Sequence, residues 1–259
     1  MRILKYLIGF AFFAFISCTV NDDQSTVATP PPLGSYTSGV VITLDDDYVD
    51  EWAAADDILK AYNWKATFFV SKCAQLNEGE MTKLKVFKAS GHEIGEHGLN
   101  HLNALQFISA YSADTYLKEE IFPMVDIMDG AGLHATSFAY PFGARNKDTD
   151  DVLLNRFSIL RGTTYGRLSP NVHNCYYTGT PVVFGLGLDK SYAHFNIPYF
   201  LSLLEYAKLN NKIVIFYAHR PVQTSHNDYE TEYNTLVEIC KYVKANNMKF
   251  YTISQLPGL

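Results

Sequence analysis

The feature that most restricts the fold of this 259-residue chain is a repeated alternation between short apolar runs and longer helical segments. Continuous apolar, β-branched runs at Val40–Leu44, Ala66–Val70 and Ile213–Tyr217 are typical of strands buried on both faces. Helical spacing follows in segments such as Glu51–Tyr62 and Tyr233–Ala245. This alternation predicts an α/β fold with parallel strands and helical crossovers. A closed barrel and an open doubly wound sheet both fit this pattern.

Composition excludes several classes of protein. The chain is 47% hydrophobic and carries a net charge of -6, so it can bury a core without disulfide bonds. It has no block rich in Lys and Arg, and we therefore expect no nucleic-acid partner. No C-x-x-C pair is present among its 4 cysteines, which excludes a cysteine-rich zinc site.

The N-terminus has the pattern of an export signal. Arg2 and Lys5 precede an apolar stretch, Ile8–Ile16, which is too short to be a membrane helix and ends at Ser17-Cys18. A small residue directly before a cysteine resembles a bacterial lipoprotein signal; a plain signal peptide with an incidental cysteine is the alternative. The prediction is a signal peptide over residues 1–17, then a lipidated Cys18 and a flexible tether to residue 38.

The remaining residues, 39–259, are expected to form a single domain. If Cys18 is lipidated, this domain is anchored to a membrane of the bacterial cell envelope, at the outer membrane or the cell surface.

Asp45-Asp46-Asp47 directly follows the first predicted strand. In parallel α/β folds, ligands bind at the carboxyl ends of the strands. Adjacent carboxylates repel one another unless a cation or hydrogen-bond donors compensate. The triplet is therefore a candidate ligand site, although a solvated turn that caps the next helix explains it equally well.

Histidines follow two further predicted strands. His97 and His101 are four residues apart, so a helical turn would place both imidazoles on one face, where they would suit a metal ion. Two unrelated surface histidines are the alternative. His219 follows Ile213–Tyr217 and is a candidate acid or base because its ordinary pKa lies near neutrality; a structural histidine is the alternative.

In their order along the chain, these segments resemble the motifs of the polysaccharide deacetylases, the NodB-homology group of carbohydrate esterase family 4. The pattern T-F-D-D-G resembles Thr43–Asp47, and K-A-T-F-F is present at Lys65–Phe69. The pattern G-H-E-I-G-x-H-[S/T]-x-x-H matches Gly91–His101, with glycine at position 98. The patterns R-x-P-[Y/F]-G and L-x-H resemble Ala139–Gly143 and Tyr217–His219.

The resemblance implies a distorted (β/α) barrel of seven strands and one divalent metal ion. Zinc is the expected ion, with cobalt, nickel, manganese and iron as alternatives. The implied metal ligands are Asp46, His97 and His101. The implied catalytic groups are Asp45 as general base, His219 as general acid and the backbone N–H of Phe142 as oxyanion donor.

The activity implied by the resemblance is hydrolysis of N-acetyl, or possibly O-acetyl, groups on a glycan or oligosaccharide. Two departures from the family pattern bear on that activity. Ala139 stands where the family has the arginine that orients the base, which would leave Asp45 without a cationic neighbour. The fourth motif, D-x-x-D-W, is missing, and Asp189 is only a weak substitute for the residue that positions the acidic histidine.

Two other functions are compatible with the same residues. A sugar-binding lipoprotein that kept the metal site without turnover is favoured by Ala139 and opposed by Asp45 and His219. A non-haem iron oxygenase also uses two histidines and one carboxylate. Its usual all-β host is opposed by the alternation of strands and helices.

Overall fold

The computed structural model describes residues 36–259. Seven parallel strands form a ring, and each pairs with its neighbour along the chain. They are β1 (Gly39–Asp46), β2 (Thr67–Val70), β3 (Glu93–Glu96), β4 (Ser137–Ala139), β5 (Ile159–Thr164), β6 (Val182–Gly187) and β7 (Ile213–Ala218). Pairing of β7 with β1 closes the ring, with Val40 opposite Val214. The fold is thus the predicted seven-stranded (β/α) barrel in a single domain, and the open sheet is excluded.

Helices cover the outside of the barrel. They are α1 (Val49–Leu59), α2 (Glu78–Ala89), α3 (Ala104–Ala110), α4 (Ala113–Tyr116), α5 (Phe122–Gly130), α6 (Lys147–Leu153), α7 (Ile197–Leu209) and α8 (Tyr233–Ala245). A π-helical turn, Leu117–Ile121, joins α4 to α5. It ends two residues before Pro123, which has no N–H for the regular helical hydrogen bond.

Pairing around the ring is uneven, which makes the barrel distorted. Along one edge of β1, the C-terminal residues Thr43–Asp46 pair with β2. The N-terminal residues Gly39–Val41 pair with the last strand of the chain, β10 (Lys249–Tyr251). Strands β3 and β4 share one paired position, Glu96 opposite Phe138. A separate two-stranded unit, β8 (Arg220–Val222) with β9 (Glu230–Glu232), follows β7 at the rim of the barrel.

The side chains of β1 alternate between two apolar clusters. Val40, Ile42 and Leu44 pack in the large core that includes residues of the surrounding helices. Val41 packs in a smaller cluster with side chains from β2, β5 and β7. Since strand side chains alternate in direction, Asp45 belongs to the same inward series as Val41. The strand therefore delivers a carboxylate to the top of the barrel interior.

The predicted signal peptide, Cys18 and most of the tether lie outside the described residues. The last residues assigned to the tether contact the barrel: Tyr36 is buried against Tyr177, and the backbone oxygen of Thr37 accepts a hydrogen bond from Tyr251.

Within residues 36–259, no helix combines the length and apolar character needed to span a membrane.

Candidate active site

Asp45 and Asp46 reach the same pocket although neighbouring strand residues ordinarily point to opposite faces. Asp46 ends β1 with a φ of 85°, in the left-handed region, and this breaks the alternation. Its backbone oxygen accepts a hydrogen bond from Ser71 N at 2.8 Å, which fixes the turn. Asp47 points elsewhere and pairs with Lys72 at 3.3 Å. The triplet is thus divided into two site carboxylates and one surface ion pair.

His97 and His101 come together through a loop, so the expectation of a helical turn is wrong. His97 directly follows β3, and the chain then turns through Gly98 (φ 87°) and His101 (φ 59°), both in the left-handed region. The two imidazole rings lie 4.9 Å apart between their centroids. The four-residue spacing therefore allows a compact loop at the end of a strand to bring the two imidazoles together.

Glu120, in the π-helical turn, holds this metal-ligand loop, residues 97–102. Its buried carboxylate accepts hydrogen bonds from the backbone of Asn100 at 3.0 Å and of Leu102 at 2.9 Å. A Cβ at position 98 would lie 2.5 Å from Glu120 Oε1. The glycine that replaces the family's Ser or Thr is therefore required by the carboxylate beside it.

Asp46, His97 and His101 form a group with the donor set and geometry for one metal ion, their ligand atoms all lying within 4.8 Å of one another. Asp46 Oδ1 is 3.7 Å from His97 Nε2 and 3.2 Å from His101 Nε2. His97 Nδ1 donates to the backbone oxygen of Ala139 at 2.8 Å, so its Nε2 is left with the lone pair that a ligand needs. Burial lowers the pKa of His97 to about 4, which keeps the imidazole neutral.

Asp45 has a cationic partner that the sequence did not reveal. The guanidinium of Arg161, on β5, donates to Asp45 Oδ2, and both side chains are buried. Arg161 is the strand neighbour of Ala139, the position at which the family has its arginine. The expectation that Asp45 lacks a cation is wrong because the guanidinium arrives from the adjacent strand. The available signal was a single charged residue, Arg161, within a short strand.

The Arg161 side chain is held between the rings of Phe69 and Tyr217, at 5.3 and 5.2 Å from their centroids. It leaves the second oxygen of Asp45, Oδ1, with no hydrogen-bond partner among the described residues. That oxygen is buried in the pocket and is free to accept a proton.

His219 is paired with Asp189, so the residue judged a weak substitute holds the histidine firmly. Asp189 Oδ2 lies 2.6 Å from His219 Nδ1, and Asp189 Oδ1 accepts the backbone N–H of His219 at 3.2 Å. Burial by itself lowers the pKa of His219, but the charge and hydrogen bond of Asp189, with Asp45 and Asp46 nearby, raise it to about 9. The imidazole is thus protonated at neutral pH, and Nε2 is its available donor.

Phe142 lies in a short 3₁₀ turn after β4 with a φ of 61°. Its ring is exposed and packs against His101, 4.7 Å between centroids. Asp46, His101, Phe142 and Tyr229 all line this pocket and all have left-handed backbones, which are strained for residues other than glycine. Such strain tends to cluster at functional sites.

The structure places all six predicted site residues around one pocket at the carboxyl ends of the strands. The lining residues are Asp45, Asp46, His97, His101, Tyr140, Phe142, Gly143, Arg161, Thr163, Tyr165, Tyr192, Tyr217, His219 and Tyr229. A group of candidate metal ligands beside a buried carboxylate and a buried imidazole, on a (β/α) barrel, is typical of metal-dependent hydrolases.

A sequence comparison agrees with the motifs. Residues 35–155 match the family model described as polysaccharide deacetylase. The matched stretch includes Asp45, Asp46, His97, His101 and Phe142; Arg161, Asp189 and His219 lie beyond it. No curated protein sequence matches the chain.

Solved structures share the fold over nearly the whole described domain. The chitin deacetylase from the fungal pathogen Colletotrichum lindemuthianum superposes with a TM-score of 0.60 at 16% identity, over 86% of this chain and 89% of that one. The Xyl-CE4 domain of a xylanase from the hindgut metagenome of Trinervitermes trinervoides gives 0.56 at 17%, over 85% and 90%. A family 4 acetyl xylan esterase from Clostridium thermocellum, in complex with cobalt, gives 0.52 at 20%, over 84% and 89%.

Proposed function

We propose that this protein is a metal-dependent hydrolase that removes acetyl groups from a carbohydrate. The observation that carries the proposal is the completeness of the site. A base with its cation, Asp45 and Arg161, and an acid with its carboxylate, His219 and Asp189, share one pocket with the metal-ligand group. Each ionisable group has the partner that its role requires.

Asp46, His97 and His101 would hold the ion, which when bound supplies a water of lowered pKa and polarises the acetyl carbonyl. Asp45 accepts the proton of the attacking water at its free oxygen, Oδ1. Arg161 holds the other oxygen and so fixes the direction of that transfer.

The backbone N–H of Phe142 donates to the oxyanion as the carbonyl carbon becomes tetrahedral; one such donor contributes about 3–4 kcal/mol. When the bond from carbon to nitrogen breaks, its electrons go to nitrogen, and His219 Nε2 gives that nitrogen its proton. The amine leaves poorly without this proton, whereas an alcohol from an acetate ester needs less help. Hydrolysis releases acetate and a free amine, or a free hydroxyl from an ester.

Aromatic side chains around the pocket support a sugar as the substrate. Phe142, Tyr165 and Tyr229 are 64, 55 and 52% exposed, which is unusual for such large rings unless they contact a ligand. Their faces suit the C–H groups of a pyranose ring. Proteins of the same fold are named for chitin, xylan and peptidoglycan, all of them carbohydrate polymers.

Zinc is the proposed ion. Two neutral imidazoles and one carboxylate are a common donor set for catalytic zinc, with positions left open for water and substrate. Cobalt occupies the related esterase from Clostridium thermocellum. Elemental analysis of protein purified without chelators should find about one equivalent of a divalent transition metal; less than a tenth, even after reconstitution, would refute the site.

The two other functions are less well supported. A binding protein without turnover was favoured by the missing arginine, and Arg161 removes that argument. A non-haem iron oxygenase was tied to an all-β barrel, whereas this chain folds as a (β/α) barrel.

We also propose that the protein is anchored to a membrane of the bacterial cell envelope through a lipidated Cys18. The support is the sequence alone: an apolar segment that ends in Ser17-Cys18, followed by a stretch rich in Ser, Thr and Pro. Replacing Cys18 by Ala should release the protein from the membrane fraction. A variant that stays membrane-bound in high salt would refute the lipid anchor.

The direct test of the enzymatic function is acetate release from a panel of acetylated glycans, with N-acetylated and O-acetylated members. Release that depends on the metal and is lost on chelation supports the proposal. Tight sugar binding with no acetate release from any member would establish the binding protein instead.

A further inference from the structure

Thr231 lies directly behind the pair formed by Asp189 and His219. It is on β9, is fully buried, and its hydroxyl donates to Asp189 Oδ1. Asp189 is also fully buried and accepts from three donors: the Thr231 hydroxyl, the His219 backbone N–H and His219 Nδ1. The chain thus presents a buried row of hydroxyl, carboxylate and imidazole that ends in the pocket.

We propose that Thr231 is a positioning residue for the general acid, acting on His219 through Asp189. This inference rests on the proposed function, since it concerns the group that protonates the leaving amine. A carboxylate in a dry environment needs donors for its lone pairs, and it rotates if one of them is removed. The Thr231 hydroxyl holds Asp189 Oδ1, which leaves Oδ2 aligned with the imidazole.

The β8–β9 unit keeps Thr231 in place. Lys190, next to Asp189, donates its backbone N–H to Glu230 O at 2.9 Å, and its ammonium pairs with Glu232 at 3.0 Å. Thr231 lies between those two glutamates, so the segment that carries Asp189 is tied to β9 on either side of the hydroxyl. On the other strand of the unit, β8, Arg220 pairs with Glu51 of α1 at 2.7 Å.

The residue that precedes β9 also contacts the acid directly. The ring of Tyr229 lies 5.0 Å from the His219 imidazole between centroids. Thr231 therefore lies in a short segment, residues 229–231, that contacts both His219 and the carboxylate behind it. Thr231 thus holds Asp189 through a hydrogen bond, and the Tyr229 ring packs against the imidazole of His219.

The alternative is that the hydroxyl merely satisfies its own hydrogen-bonding needs. A matched residue argues against that reading: Thr235, at the start of α8, is equally buried, and its hydroxyl has no partner within the described part of the chain. The fold therefore tolerates an unpartnered threonine hydroxyl close by. Thr231 differs because the carboxylate that pairs with His219 lies at the end of its hydrogen bond.

The test compares Thr231→Val, which keeps the shape but removes the donor, with Thr231→Ser, which keeps the donor. Thr235→Val is the matched control. For the holoenzyme we expect Thr231→Val to lower kcat on an N-acetylated glycan by about tenfold with KM unchanged, as for partners behind metal-binding histidines. The loss should be smaller on an acetate ester. Thr231→Ser should restore most of the kcat that Thr231→Val loses, and Thr235→Val should leave kcat and the ratio of amide to ester rates unchanged.

A second readout does not depend on turnover. The His219 Nδ1 proton, hydrogen-bonded to Asp189, should give a downfield imidazole resonance that His219→Gln removes. Thr231→Val should shift or broaden this resonance, and Thr235→Val should not. An unchanged resonance and an unchanged ratio of rates in Thr231→Val would overturn the inference. Absence of acetate release by the wild type on every glycan would instead refute the proposed function, and the resonance alone would then decide the role of Thr231.

Discussion

Asp45 and Asp46 are neighbours in the sequence, yet their contacts differ. Asp46 contacts His97 and His101, whereas Asp45 pairs with the Arg161 guanidinium and has one oxygen without a partner in the described part of the chain. We expect Asp46→Ala to lose both metal and activity. Asp45→Asn should keep the metal while turnover falls by roughly 10²–10⁴-fold, the usual contribution of one acid or base. Metal content and acetate release, measured side by side, check this; the opposite pattern would invert the two roles.

Arg161 reaches the base from β5 in place of an arginine on β4. Its loss should leave a buried carboxylate without its partner, which costs about 3–5 kcal/mol of stability in comparable pairs. We expect Arg161→Met to unfold at lower denaturant concentration and to lose most of its turnover. Ala139→Arg combined with Arg161→Ala restores a guanidinium on the neighbouring strand, and it should recover part of the activity. If the double variant has no more activity than Arg161→Ala alone, the two positions are not equivalent.

The protonated state of His219 predicts how stability of the metal-free protein depends on pH. The folded-state pKa is about 9, above the ordinary value near 6.5 that applies to the unfolded chain. Below about pH 6.5 both states are protonated and the ion pair with Asp189 stabilises fully; as pH rises through about 9 that contribution is lost. We expect a loss of about 3 kcal/mol over this interval in denaturant titrations of chelator-treated protein. His219→Gln should flatten the profile, and an unchanged profile would contradict the assignment.

Among the elements, the metal-ligand loop depends on a helix that is distant in sequence. Glu120 anchors the backbone at Asn100 and Leu102, and this fixes His97 and His101 without any regular secondary structure. Glu120→Gln keeps size but removes the charge and adds a donor where only acceptors fit. We expect its metal affinity to fall by about 10–100-fold, as for other residues that orient metal ligands.

A control for that experiment comes from the surface of the same turn. Glu119→Gln changes an exposed neighbour of Glu120 and should leave metal affinity as it is. Competition with a chromophoric chelator measures both variants. Equal affinities for Glu120→Gln and the wild type would show that the loop holds its shape without this carboxylate.

For the molecule as a whole, the barrel itself could be predicted well from the sequence. Buried parallel strands need apolar residues on both faces, so Val40–Leu44 and Ile213–Tyr217 are recognisable without any structure. The resemblance supplied the closure of the ring, because strand pairing is long-range and periodicity carries no information about it. The positions Asp45, Asp46 and His219 followed from the same reasoning, since strand ends converge on one edge of the barrel.

What the sequence determined by itself is therefore the position of the barrel strands and the placement of the candidate site residues at their ends. Tertiary structure decided which partners those groups have. Arg161 meets Asp45 across 116 positions, and Asp189 meets His219 across 30. Such pairs depend on strand order and register, which put Ala139 beside Arg161 and so let a neighbouring strand supply the missing guanidinium. A local motif cannot contain that information, because the hydrogen bond exists only once the barrel has closed.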